Sequence, residues 1–247
     1  MTITTSADLK ALRRVGRLVA DAHVFLARLV KEGVTTAELD ERGAEFIEAR
    51  GGRSAPRMTY RFPGFNLISV NDQIVHGVPG KRALRHGDLV KLDITVELDG
   101  YVADAARTVP MPGAPPVARK LARCAQRAFA AAMKAAVEGQ PVRAIGRAVE
   151  QVAAREGFAV ARELTGHGVG RKIHEAPSVP NYDDPYARTI LHDGMVLAVE
   201  PILTERPTTT VEDADGWTIR TADHGLSSHY ENTIVVRGRR PLILTAA

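Results

Sequence analysis

Five residues in this chain have the types and settings of metal ligands: Asp93, Asp104, His167, Glu200 and Glu231. Asp93 lies in the run Leu89-Val90-Lys91-Leu92-Asp93-Ile94-Thr95-Val96, and Glu200 in Val196-Leu197-Ala198-Val199-Glu200-Pro201-Ile202. Glu231 comes just before a third apolar run, Thr233-Ile234-Val235-Val236. An unpaired carboxylate buried in such a strand costs several kcal/mol, and a bound cation removes that penalty. Carboxylates with one imidazole suit Mn, Fe(II), Co or Zn, and so many negative charges together call for two divalent ions. Paired ions lower the pKa of a bridging water and polarise a carbonyl, which equips a site to hydrolyse an amide or ester.

The elements that must position these groups are legible in the surrounding pattern. Asp99-Gly100 reads as a two-residue hairpin turn inside Leu89 to Val109, so Leu98 faces Tyr101 and Thr95 faces Asp104. Asp93 and Asp104 are then diagonal neighbours on one face, with backbones roughly 7–8 Å apart, so both carboxylates reach one ion or an adjacent pair. The glycine-rich stretch from Gly166 to His174 carries His167 and His174, one read as a ligand and the other as a substrate contact. His23, His86, His192, His224 and His229 are read as ordinary surface histidines.

Around the strands lie four helices. Leu9, Leu12, Val15, Val19, Ala22, Leu26 and Leu29 follow the helical period, and Gly33 stops the run. Thr35 and Glu38 form a capping box for a second helix that ends at Gly51-Gly52. Pro56 to Phe65 reads as an aromatic-rich loop and Leu67 to Val70 as a strand. Helices over Val117 to Glu138 and Val142 to Glu156 follow, the second opened by Pro141 and closed by Gly157. The last third returns to strands at Met195 to Thr204, Trp217 to Thr221 and Tyr230 to Val236.

That order repeats itself, which predicts an α+β (α/β) chain of two related halves, residues 8–110 and 117–237, in a single catalytic domain of residues 1–247. His76-Gly77-Val78 recurs as His167-Gly168-Val169. Gly87 leads to Asp93 at the same offset as Gly194 leads to Glu200. The repeat thus brings His76 into consideration beside His167.

Bulk properties narrow the function. With 247 residues and 45% hydrophobic content the chain can bury a substantial core. A net charge of +4 without a dense Lys/Arg cluster gives no nucleic-acid face. The single cysteine, Cys124, has no intramolecular partner and fits a reducing compartment. Charged residues interrupt the first twenty positions, and no later run is long enough to span a bilayer, so a cytoplasmic protein without membrane contact is expected.

With these residues in place, the chain resembles the type I methionine aminopeptidases of the pita-bread metallopeptidases, in which helices cover a curved antiparallel sheet. The resemblance runs along nearly the whole chain. Its most specific pieces are Asn71-Asp72-Gln73-Ile74-Val75-His76-Gly77-Val78-Pro79, Leu92 to Val96 followed by Asp104, and Gly166 to Gly170. His174-Glu175-Ala176-Pro177, Val199-Glu200-Pro201 and Tyr230 to Val236 complete it.

The resemblance implies that Asp104 and Glu231 bridge two metals, Asp93 completing one site and His167 with Glu200 the other. It implies removal of an N-terminal (initiator) methionine by a metal-activated hydroxide, with Glu200 shuttling protons. His174 would contact the scissile carbonyl oxygen and His76 the scissile nitrogen. The methionine pocket would be Pro56, Phe62, Leu67, Ile173 and Trp217, apolar and suited to a flexible thioether. Bacterial relatives commonly carry cysteine where Pro56 and Leu67 stand and tyrosine where Phe62 stands. The implied partners are N-terminal peptides on nascent chains at the ribosome, met by a monomer that consists of the catalytic domain alone. A Pro-directed dipeptidase or aminopeptidase of the same fold, or a catalytically silent binding protein, are the alternatives.

Overall fold

The structure is a computed structural model that describes residues 1–246. Its first half runs α1 (Ser6–Leu29), α2 (Thr36–Glu48), β1 (Arg53–Ser54), α3 (Ala55–Tyr60), β2 (Leu67–Val70), β3 (Gln73–Val75), β4 (Leu89–Leu98) and β5 (Tyr101–Pro110). The second continues with α4 (Pro116–Ala135), α5 (Arg143–Arg155), β6 (Ala159–Val160), β7 (Thr165–Gly168), β8 (Glu175–Pro180), β9 (Val196–Val199) and β10 (Ile202–Thr204). It closes with β11 (Thr210–Glu212), β12 (Ile219–Thr221), β13 (Ser227–His229), β14 (Asn232–Val235) and β15 (Leu242–Ile243).

The apolar stripe of α1 buries Leu12, Val15, Val19, Ala22 and Leu26. These residues form one core with Leu39 and Ile47 of α2 and with Val90, Leu92, Ile94 and Val96 of β4. Both helices start with a capping box, Thr5 with Asp8 and Thr35 with Glu38, which in each satisfies the N-cap amide and the amide three residues on. A second core joins α4 and α5 to β9 and β14 through Leu121, Ala125, Phe129, Val149, Leu197, Val199 and Ile234.

Under the helices, β4 pairs with β1, β2 and β5, while β8, β7, β9, β14 and β15 form a five-stranded sheet. The pairings within both sheets are antiparallel. The hairpin has the expected register, with Leu98 opposite Tyr101 and Thr95 opposite Asp104, and Asp99 and Gly100 take the positive φ values of 52° and 79° that such a turn needs. The two sheets meet at β5 and β14. There the Asp104 amide donates to Thr233 Oγ1 at 2.8 Å, and the same hydroxyl donates to the Asp104 carbonyl at 2.9 Å.

Two expected elements differ. Part of the Pro56 to Phe65 segment is helix: Ser54 accepts the Arg57 amide as N-cap, Pro56 stands in the first turn where its missing N–H is harmless, and Arg61 ends the helix in the left-handed region. The run from Met195 to Thr204 is two strands in different sheets, β9 and β10, which part at Glu200-Pro201. Proline cannot donate to the β9 ladder, so the chain leaves that sheet where the carboxylate is needed.

Helix α5 lies close against the end of β8, because Gly146 has no side chain. A Cβ there would stand 2.2 Å from the Tyr182 carbonyl oxygen and 2.4 Å from that of Pro180. Gly146→Ala should therefore destabilise the fold by about 1–3 kcal/mol. In a chain of this size that lowers the Tm by roughly 3–10 °C in a thermal melt. An unchanged Tm would mean that α5 lifts from β8 freely.

Candidate metal centre and substrate pocket

Asp93 and Asp104 come from the β4–β5 hairpin, His167 from β7, Glu200 from the end of β9, and Glu231 from the turn before β14. His167 pairs in register with Ala198, so Glu200, two residues on, extends from the same face of the sheet. The Glu231 amide donates to the Ala106 carbonyl at 3.0 Å, which holds that turn against β5. Arg107 reinforces it, donating to the Glu231 carbonyl and, at 2.7 Å, to Asn232 Oδ1.

All five expected ligands are buried and line one cavity together with Pro56, Phe62, Leu67, His76, Ile173, His174 and Trp217. Donor atoms of Asp104, His167 and Glu231 lie within 4.8 Å of one another, and so do those of Glu200, His229 and Glu231. Asp93 borders these two groups without belonging to either. Its Oδ1 and Glu231 Oε1 have no hydrogen-bond partner. Two clusters that share Glu231, with a donorless carboxylate oxygen of Asp93 beside them, fit a pair of divalent ions.

The electrostatics agree. Burial pushes Asp93, Glu200 and Glu231 well above the usual carboxylate range, and the charges of neighbouring acids raise them further. Asp104 is pushed up to about 7, again by burial, against the lowering effect of Thr95, whose hydroxyl donates to Oδ1 at 2.8 Å. Burial lowers His167 and His76 to about 4, so both rings are neutral at neutral pH. The His167 Nδ1 bonds the Gly168 carbonyl at 2.9 Å; a carbonyl only accepts, so Nδ1 carries the proton and Nε2 keeps its lone pair. That Nε2 is 3.6 Å from Glu200 Oε1 and 4.0 Å from Asp104 Oδ2.

At the mouth of the cavity, exposed His174 packs edge-on to the His167 ring at 4.2 Å, and its Nδ1 is 2.5 Å from the Tyr60 hydroxyl. Glu175 accepts the amides of Arg171 and Lys172 at 2.7 and 2.8 Å, fixing the loop that presents His174. The apolar wall is formed by buried Pro56, Phe62, Leu67 and Ile173, with Trp217 edge-on to Phe62 at 5.3 Å. Leu67 pairs with Asp93 across β2 and β4, so pocket and carboxylate share one rung of the sheet.

Sequence reasoning missed several participants. Two histidines read as surface residues are buried: His23 packs in α1 and bonds the Ala105 carbonyl at 2.8 Å, while His229 faces Glu200 and Glu231. The apolar period of α1 passes through position 23. His229 is two residues before Glu231, the spacing that puts strand neighbours on one face. Lys91, only 1% exposed, donates from Nζ to the Asn71 carbonyl at 2.7 Å and to the carbonyl and hydroxyl of Ser227, both at 3.2 Å. It ties the segment before His76 to the strand that carries His229. Tyr60, read as part of a loop, is the partner of His174.

A family model for metallopeptidase family M24 matches residues 10–238. "Methionine aminopeptidase 2" of Bacillus subtilis is 38% identical over 247 residues, covering 99% of this chain and 99% of that protein. The crystal structure of methionine aminopeptidase from Rickettsia prowazekii superposes with a TM-score of 0.94 at 32% identity, over 99% of this chain and 100% of that one. A Xaa-Pro dipeptidase from Bacillus anthracis shares the fold, with a TM-score of 0.80 at 19% identity, over 100% of this chain and 62% of that one. The chain belongs to metallopeptidase family M24 and, within it, to the type I methionine aminopeptidases, with their pita-bread fold.

Metal removal should expose the mutual repulsion of the acids. A group whose folded pKa is raised contributes stability below its unfolded pKa and loses it as pH rises through the folded one. Stability of the stripped protein should therefore fall between about pH 4 and about pH 7, the interval set by Asp104. Added Mn or Co at ~100 times its Kd should raise the Tm by roughly 5–10 °C above that interval, and far less below it. Melts with and without metal across this pH range check both, and a Tm indifferent to metal would contradict the dinuclear centre.

Proposed function

We propose that this protein removes methionine from the N-terminus of peptides and nascent chains as a metal-dependent aminopeptidase. The observation that carries the proposal is the shared rung of Leu67 and Asp93, which puts an apolar pocket suited to a flexible thioether directly beside the acids.

Asp93, Asp104, His167, Glu200 and Glu231 would hold two divalent ions. When bound, the ions supply Lewis acidity toward a carbonyl and activation of water. Pro56, Phe62, Leu67, Ile173 and Trp217 seat the methionine side chain and exclude water around it. Tyr60 orients His174: with the tyrosine proton donated to Nδ1, the His174 Nε2–H is free to donate to the scissile carbonyl oxygen. His76 is placed to bond the scissile nitrogen, and Glu200 to carry a proton toward the departing amine. The working unit is one catalytic domain of two halves, residues 8–110 and 117–237. The core under α4 and α5, drawn from residues 121–236, supports that division.

The setting we propose is the cytoplasm, with the chain acting as a monomer on emerging N-termini. Among the described residues no helix is long and apolar enough to cross a membrane.

Purified protein with added Mn or Co should release methionine from Met-Ala-Ser and leave Gly-Pro intact. The reverse preference would assign the chain to Pro-directed hydrolysis, and no hydrolysis under any metal would make it a binding protein. His174→Ala should keep both metals and lose about 100-fold or more in kcat. Asp104→Ala should lose metal as well, read by metal analysis of the desalted protein; wild-type metal content and activity in Asp104→Ala would refute the ligand assignment.

A further inference from the structure

We propose that His229 is a further protein ligand of the metal centre, coordinating through Nε2 the ion held by Glu200 and Glu231. The inference rests on the dinuclear reading above and adds a donor to it.

The ring is 2% exposed, and neither of its nitrogens has a hydrogen-bond partner. A buried imidazole with both nitrogens unsatisfied is rare and calls for an explanation. Its Nε2 is 3.4 Å from Glu200 Oε2 and 3.5 Å from Glu231 Oε2. These contacts are longer than normal N–H···O hydrogen bonds. They lie within about 0.1 Å of the spacing of neighbouring donors on one ion, because ligands at ~2.1 Å with angles between octahedral and tetrahedral stand roughly 3.0–3.4 Å apart. The His167 Nε2 stands 3.6 Å from the other oxygen of Glu200, so that carboxylate lies between two imidazoles in similar settings.

The main chain at His229 is held on two sides. His229 pairs with Ile202 in the ladder of β13 and β10. Thr108 clasps it from β5, with the His229 amide donating to Oγ1 at 2.9 Å and the hydroxyl donating to the His229 carbonyl at 2.8 Å. Lys91 holds Ser227 two residues earlier. The backbone that carries the ring is therefore fixed without a metal, and the ring nitrogens are left free for one. A second nitrogen donor shifts this site toward Co, Zn and Fe(II) and away from Mn and Mg.

The test uses the full chain loaded with Co(II). Each Co-bound imidazole gives an exchangeable ring N–H resonance far outside the ordinary proton NMR window. Wild type should show two, from His167 and His229, and His229→Gln should show one. Calorimetric titration should find Co(II) bound about 100-fold or more weakly at one site in His229→Gln. The visible Co(II) bands should change in intensity as a donor is lost. His229→Phe, which keeps the buried volume, provides a second variant should the glutamine chain fail to fold. Two Co(II) ions with a single shifted N–H in wild type, or unchanged affinity and bands in both variants, would overturn the proposal while leaving the dinuclear centre intact. Failure of wild type to bind Co(II) would overturn both.

Discussion

The structure depends on one constraint: four carboxylates are held together in a buried site, where burial and neighbouring charge disfavour their ionisation. Asp93, Asp104, Glu200 and Glu231 are all buried. No arginine or lysine forms an ion pair with any of them among the described residues; the nearby cations, Lys91 and Arg107, spend their donors on backbone carbonyls and neutral side-chain oxygens. Such an arrangement persists only if the surrounding fold over-determines it and an external cation relieves it. These two side chains tie together the segments around the cavity and leave the acids free for metal.

The fold meets this constraint by taking each ligand from a backbone that other bonds already fix. Asp93 and Asp104 come from a ten-residue hairpin ladder, His167 and Glu200 from adjacent strands of the second sheet, and Glu231 from a turn pinned to β5. Thr233 closes the junction of the sheets through both backbone groups of Asp104. Ligands carried on paired strands are placed more accurately than ligands on loops, so metal binding needs little reorganisation. The helices supply the packing energy that holds both sheets in place, and they contribute no ligand.

Much of this was legible because strand geometry is periodic. The Asp99-Gly100 turn fixed a register that placed Asp93 and Asp104 on one face, and the structure has that register. Apolar runs interrupted by Asp93 and Glu200 marked those acids as candidates for function, and both are buried in one cavity. What escaped depended on contacts between segments distant in sequence. Lys91 looks like a solvent-facing strand residue until Asn71 and Ser227 are brought around its ammonium. His229, in a stretch rich in serine and flanked by turns, looks exposed until β10 and Thr108 enclose it. The break at Pro201 was readable from proline chemistry alone, yet the apolar residues on both sides suggested one strand.

The same ladder that positions the candidate ligand Asp93 also sets the distance from the acids to the apolar pocket. Leu67 faces Asp93 across β2 and β4, and Ser69 faces Lys91 two residues away. A shift of one residue in that pairing would turn Leu67 away from the cavity and carry its neighbour in, because side chains alternate across the sheet. Specificity and metal chemistry therefore rest on a single register, reinforced from the far side of β4 by the hairpin with β5. Substitutions at Pro56, Phe62 or Trp217 would change the lining of the pocket without touching this register. Variation in the pocket can thus tune what is bound while the ladder keeps the reacting bond at the same distance from the acids.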